Sequence, residues 1–254
     1  MDLDSKNIEE RYSRQMLFLP IGREGQKRLN KSKVTIIGCG GLGSVITNNL
    51  ARAGVGYLRI VDRDRVELSN LQRQILFDEE DVKKNLPKAV AAKKKLGYIN
   101  SDIKIDSLVE EVTKDNIDDI ISGVDIVLDA TDNFETRFLI NDTCIKNKIP
   151  WIYGAVAASY GVVFNILPKN SICLRCIFRE IPSPEDILTC NTVGIINSIV
   201  NVIASIQTTE ALKFLTGNFD FMVKGIININ IWDLSLEIID IKKDSSISCP
   251  VCGR

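Results

Sequence analysis

Apolar and polar positions change period several times along the chain, and each change marks an element. Residues 7–31 carry helical patterns divided by Pro20 and Gly22, so helices precede the first strand. A short β-branched run at 34–37 predicts a buried strand ending on a glycine cluster that opens an apolar-periodic helix. A second strand follows at 57–61. The segment 67–74, ELSNLQRQ, is polar and too short for a core element, which puts it on the rim above a sheet. Residues 78–82 predict a short helix, and Pro87 suits the first turn of a longer one reaching about residue 98. Strand 103–108, helix 113–122, strand 124–130 and helix 134–147 continue the alternation. Strands alternating with helices at these lengths predict an α/β fold with a Rossmann-like, mostly parallel sheet.

Beyond Pro150 the alternation stops. Strands 151–156 and 160–167 flank a turn at 158–161, and a Cys-x-x-Cys follows at 173–176. The polar stretch 177–192, with Pro182 and Pro184, predicts a mobile loop carrying Cys190. A long helix over 193–215 closes at Gly217, strands follow at 226–232 and 237–241, and a second Cys-x-x-Cys occupies 249–252. This half reads as an antiparallel C-terminal extension of the sheet. Asn197, Asn201, Gln207, Glu210 and Lys213 interrupt the long helix, so it is a buried amphipathic element and not a membrane span. The organisation expected is one domain over 1–254, with N-terminal helices at 1–32, a nucleotide-binding half at 33–150 and a second half at 151–254.

Gly38, Gly40 and Gly43 fall at G-x-G-x-x-G spacing: a tight turn, a close backbone approach to phosphate, and close helix–strand packing. Asp62 ends the second strand about 20 residues further on, where a carboxylate meets ribose hydroxyls. Asp132 ends the strand at 124–130 and faces the same crevice, while Asn133 can cap the helix behind it.

Composition narrows the chemistry. The 254 residues suffice for a full core, and a net charge of −1 offers no global electrostatic grip on nucleic acid. Histidine is absent, which removes every imidazole-based mechanism and leaves cysteine as the soft metal ligand. Seven cysteines and a charged, polar N-terminus without an apolar leader argue for a reducing cytoplasm. Cys173, Cys176, Cys249 and Cys252 can complete a closed tetrahedral zinc site; a redox role is the competing reading, but such motifs come singly near a βαβ start. Cys39 and Cys144 read as packing residues. An exposed thiol at Cys190 is either incidental or a nucleophile.

The crevice thus collects a glycine turn, Asp62, the cations Arg14, Arg73 and Lys88, and Asp132, which suits magnesium. A triphosphate needs cations in that number. With no G-x-x-x-x-G-K, transfer of the γ-phosphoryl is not the natural inference; transfer at the α-phosphate would instead release pyrophosphate, whose charge Arg and Lys can neutralise. RYSRQ at 11–15, GCGGLG at 38–43, Asp62, SNLQRQ at 69–74, Pro87-Lys88, DATDN at 129–133 and the two cysteine pairs together resemble the ThiF/MoeB/HesA family, bacterial relatives of ubiquitin-activating enzymes.

The resemblance implies adenylation, with ATP and magnesium, of the C-terminal glycine of a small ubiquitin-like sulfur-carrier protein, ThiS-like or MoaD-like. It implies that Gly38, Gly40, Gly41, Gly43, Asp62, Ser69, Asn70, Leu71, Gln72 and Asn133 surround the nucleotide, with Asn70, Arg73 and Lys88 on phosphates and Asp132 on magnesium. Arg14 would enter from the partner subunit of a homodimer, residues 151–254 would bind the carrier, and Cys190 would act after adenylation. No rhodanese domain is expected on the chain, so sulfur would come from a separate sulfurtransferase or cysteine desulfurase. Three alternatives stand beside this: an adenylating enzyme acting on tRNA threonylcarbamoyl or on a peptide, a NAD-dependent oxidoreductase, and a non-catalytic binding module. Nucleic acid and membrane partners are not expected.

Overall fold

The computed structural model describes residues 9–183, 190–241 and 249–253. Helices α1 (Ser13–Leu17) and α2 (Gly22–Lys31) lead into β1 (Lys33–Ile37), α3 (Gly41–Ala53) and β2 (Tyr57–Val61). The rim segment contains a single 3-10 turn at Leu68–Asn70, followed by α4 (Glu79–Lys83) and α5 (Lys88–Ile99). Then come β3 (Lys104–Leu108), α6 (Ile117–Ile120), β4 (Ile126–Asp129), α7 (Phe134–Asn147), β5 (Trp151–Ala157) and β6 (Tyr160–Ile166). Short helices α8 (Leu174–Ile177) and α9 (Cys190–Val193), long helix α10 (Asn197–Thr216), β7 (Ile226–Asn230) and β8 (Ser235–Ile239) complete the described elements.

One eight-stranded sheet runs through them in the order β3-β2-β1-β4-β5-β6-β7-β8. Strands β1 to β5 pair in parallel, and β5 through β8 pair antiparallel, as the change of pattern at Pro150 predicts. Alternation along β1 sets the two cores: Val34 and Ile36 pack with α3 and α10, whereas Ile37 joins Val61, Phe138 and Trp151 on the other face. Strand order reverses between β1 and β4, so a crevice opens at their carboxyl ends, where this class of sheet binds ligands.

Several elements differ from the expectation; β4 and β7 are shorter than the strands expected at 124–130 and 226–232. The helix expected over 113–122 shrinks to Ile117–Ile120, because the Asn116 side chain accepts the Thr113 N–H at 2.8 Å and holds a turn in place of a helical start. The helix expected from 193 begins at Asn197. Gly194 takes a φ of +73°, and its carbonyl accepts from the Ala158 N–H at 2.9 Å, which separates α9 from α10 and pins the break to the β5–β6 turn. Strand β8 lies two residues earlier than expected, at Ser235–Ile239. Of the expected mobile loop, residues 184–189 lie outside the described residues. No helix among the described residues is long and apolar enough to cross a membrane.

Candidate active site

The crevice is a cavity of about 1400 Å³. Gly38 begins it with a φ of +93°, and a Cβ there would sit 2.5 Å from the Ala130 carbonyl just after β4, so only glycine fits the turn from β1 into α3. Gly43 lies behind the turn, where a Cβ would collide with the Gly38 carbonyl. Its role is close packing, and it does not line the cavity. Gly40 and Gly41 do line it, at the N-terminus of α3, which no side chain caps. Those first helical N–H groups are the anion-binding end of the helix.

Asp62 stands at the end of β2. Its two oxygens accept the N–H groups of Cys39 at 2.6 Å and Asp64 at 2.8 Å, which fixes the carboxylate against the glycine turn. Burial raises its pKa, with Lys88 and those two N–H groups opposing the shift. Lys88 is the first residue of α5, and its side chain is only 9% exposed. A cation at a helix N-terminus needs a shared anion; Asp64 supplies it, 2.9 Å from Nζ. Pro87 takes the capping position before it instead of the first helical turn.

From the rim segment, Asn70 and Arg73 line the cavity; Arg73 is held by donating to the Ser69 carbonyl at 3.0 Å. Ser69 and Gln72 are exposed and Leu71 packs toward the core, so these three do not line it. Asp132 and Asn133 form the lip after β4, with Asn133 capping α7 through the Thr136 N–H at 2.8 Å. Arg14 is exposed on α1 and is not among the residues that line the cavity of its own chain. Its neighbour Arg11 is occupied, pairing with Asp102 and donating to the Ile99 carbonyl at 3.0 Å.

Cys190 lines the cavity from the first residue of α9, half-buried rather than exposed on a loop. Burial pushes its thiol up, Arg73 opposing and Asp132 adding to the shift. In this arrangement it is held as a thiol, not poised as a thiolate.

Three cavity residues escaped the sequence reading. Asp64 pairs with Lys88; Gln74 ends the SNLQRQ motif; Arg137 lies buried on α7. The Arg137 guanidinium reaches Asp129, donates to the Thr131 carbonyl at 2.7 Å and stacks over the Tyr153 ring, bracing the loop that carries Asp132. A lone arginine on a helix reads as a solvated charge, so no local signal marked it.

Away from the crevice, the sulfurs of Cys173, Cys176, Cys249 and Cys252 lie within 4.8 Å of one another. Three of the separations are 3.9, 3.7 and 3.5 Å. Four thiolates about 2.3 Å from one tetrahedral zinc would stand about 3.8 Å apart, so the cluster fits such an ion, and the separations are too long for disulfides. The set joins α8 to the tail.

With this geometry in place, comparison with known proteins gives the class. The chain belongs to the ThiF family, which matches residues 12–251. It is 45% identical over 243 residues to the sulfur carrier protein ThiS adenylyltransferase of Bacillus subtilis, spanning 96% of this chain and 71% of that protein. It is 36% identical over 254 residues to the SAMP-activating enzyme E1 of Haloferax volcanii, spanning 100% of this chain and 92% of that one. Among solved structures, MccB of Escherichia coli with ATP aligns at a TM-score of 0.83 and 25% identity, covering 96% of this chain and 74% of the other.

Proposed function

We propose that the protein is an ATP-dependent adenylyltransferase that activates the C-terminal glycine carboxylate of a small ubiquitin-like sulfur-carrier protein. The observation that carries the proposal is the convergence of Arg73, Lys88 and Asp132 on one cavity beside the Gly40–Gly41 turn. The names of the Bacillus and Haloferax relatives support the substrate class. A volume of about 1400 Å³ also exceeds the roughly 300–1,000 Å³ of a single small-ligand pocket, leaving room for a chain end beside a nucleotide.

In this reading Asp62 accepts the ribose hydroxyls, the α3 N-terminus and Asn70 face phosphate, and Arg73 and Lys88 neutralise the charge that moves onto pyrophosphate. A carboxylate oxygen of the carrier attacks the α-phosphorus, forming an O–P bond as the bond to the pyrophosphate oxygen breaks. No proton moves, so a chain without histidine is fully equipped. Asp132 offers the hard carboxylate oxygen that magnesium takes beside phosphates, and the ion would supply further charge neutralisation there. Zinc in the four-cysteine cluster would be structural, with no open position.

The halves 33–150 and 151–254 would hold nucleotide and carrier respectively, within a single domain. Arg14, exposed and not lining its own cavity, would complete the partner's phosphate site in a homodimer. Mixing Arg14→Ala with Lys88→Ala subunits should then recover activity in hybrid sites; heterodimers without recovery would remove the claim. Cys190 would act only after the adenylate forms, with sulfur from a sulfurtransferase or cysteine desulfurase, and the setting would be the cytoplasm.

The test is mass spectrometry of a ubiquitin-like carrier ending in Gly-Gly after incubation with enzyme, magnesium and ATP. A carrier adenylate with released pyrophosphate is expected, and none from a carrier lacking its last glycine. Hydride transfer to NAD, or adenylation of a short peptide with the carriers inert, would overturn the reading.

A further inference from the structure

Gln207 interrupts the apolar run of α10 and is completely buried, at 0% exposure. Its Nε2 donates to the Asp129 carbonyl at 2.8 Å and to the Ile152 carbonyl at 3.3 Å. The first belongs to β4 and the second to β5, two strands whose register pairs Val127 with Trp151 and Leu128 with Ile152. Just beyond those pairs, Ala130 and Ala155 line the cavity. One amide therefore spans the fork at which the two strands part to open the crevice.

Strand β5 is shaped to receive that amide. A Cβ on Gly154 would lie 2.2 to 2.3 Å from three of its atoms, so a side chain at 154 and the amide of Gln207 exclude one another. The Gln207 Oε1 has no hydrogen-bond partner among the described residues. A buried acceptor without a partner costs stability, so the contribution of this glutamine is its N–H2.

From Asp129 the fastening passes straight to the lip. The Asp129 Oδ1 accepts the Thr131 N–H at 2.9 Å and the Thr131 hydroxyl at 2.6 Å. Its Oδ2 accepts from Arg137, which also donates to the carbonyls of Thr131 and Gly154. The next residue is Asp132, which lines the cavity. Gln207 holds the main chain of the very residue whose carboxylate holds this loop.

We propose that Gln207 is a positioning residue for adenylation, clamping the ends of β4 and β5 so that the Asp132 carboxylate stands in register with the Gly40–Gly41 turn. It is not among the residues that line the cavity and acts through Asp129. This rests on the adenylation reading above and adds to it a clamp reaching the lip from α10. Glu210, one turn along the same helix, supplies an internal control. It is 1% exposed and accepts from the Asn165 side chain at 2.6 Å and the Val223 N–H at 3.0 Å, neither of which lines the cavity.

The test compares Gln207→Met, Gly154→Ala and Glu210→Gln with wild type in pyrophosphate exchange, in calorimetric titration of ATP with and without magnesium, and in melting. Gly154→Ala displaces the same amide from the other strand, so the clamp is still probed if Gln207→Met does not fold. A misplacement of about 1 Å can cost on the order of a hundredfold in rate, so each clamp variant that folds should slow exchange by about tenfold to a hundredfold. Each should also lose much of the gain in ATP affinity that magnesium gives, while affinity without magnesium holds. Glu210→Gln should melt lower yet keep both exchange and the magnesium gain. Because coupled residues are not additive, Gln207→Met should slow exchange by no more than about twofold when Asp132 is already alanine. The same slowing in the Asp132→Ala protein as in wild type, or clamp variants that behave like Glu210→Gln, would make Gln207 a structural residue and overturn the proposal. A wild-type protein with no exchange would instead bring down the adenylation reading, and this proposal with it.

Discussion

The Arg137 guanidinium lies 3.3 Å from the carboxylate of Asp129, and neither side chain reaches solvent appreciably, at 8% and 0% exposure. This pair links the end of β4 to α7, and the arginine also donates to carbonyls of Thr131 and Gly154. The loop carrying Asp132 is thereby tied to β5. Removing one partner of a buried pair leaves an uncompensated charge and costs about 3–5 kcal/mol. Arg137→Ala should lose stability on that scale in chemical denaturation. A loss no larger than that of an exposed arginine would mean the brace carries no load.

Asp62 gives a pH dependence with a definite sign. Burial raises its pKa above the ordinary carboxylate value. A folded-state pKa above the unfolded one means that neutral Asp62 favours folding below the unfolded pKa. That contribution is lost as pH rises through the folded pKa. Ribose hydroxyls instead need the ionised carboxylate. ATP affinity is therefore expected to fall on acidification at a higher pH than an ordinary aspartate would set. Titrations of wild type and Asp62→Asn across the acid range read this directly: the variant should bind weakly with that acid limb gone, and an unchanged limb would assign it to another group.

The four-cysteine cluster predicts about one zinc per chain in protein purified without added metal. Cys249→Ser should lower the melting temperature and release the metal, because the ion ties α8 to the tail. Elemental analysis finding less than roughly a tenth of an equivalent, with melting unchanged in the variant, would contradict the site.

Residues whose roles follow from local spacing were legible in the sequence. The glycine turn, Asp62 and the β-turn-α frame need only their own neighbours to be read, and the structure places Gly38, Gly40, Gly41 and Asp62 on one cavity. The two cysteine pairs could be read as a set because each is a local motif, although Cys173 and Cys249 are 76 residues apart. What could not be read depends on tertiary placement. Asp64 resembles any surface acid until Lys88 is seen 2.9 Å away, and Arg137 resembles a solvated charge until α7 turns it inward. The break at Gly194 was hidden inside an apolar run, because the contact that enforces it comes from Ala158 on another element.

The central claim is that Lys88 and Asp132 serve adenylation in the cavity at the end of the parallel sheet. Pyrophosphate exchange into ATP, measured with a carrier ending in Gly-Gly, reads that step alone. Each preorganised electrostatic contact to a transition state accounts for about 2.7–4 kcal/mol, so Lys88→Ala and Asp132→Ala should each slow exchange by on the order of a hundred- to a thousandfold. Near-normal exchange in both folded variants would contradict the account.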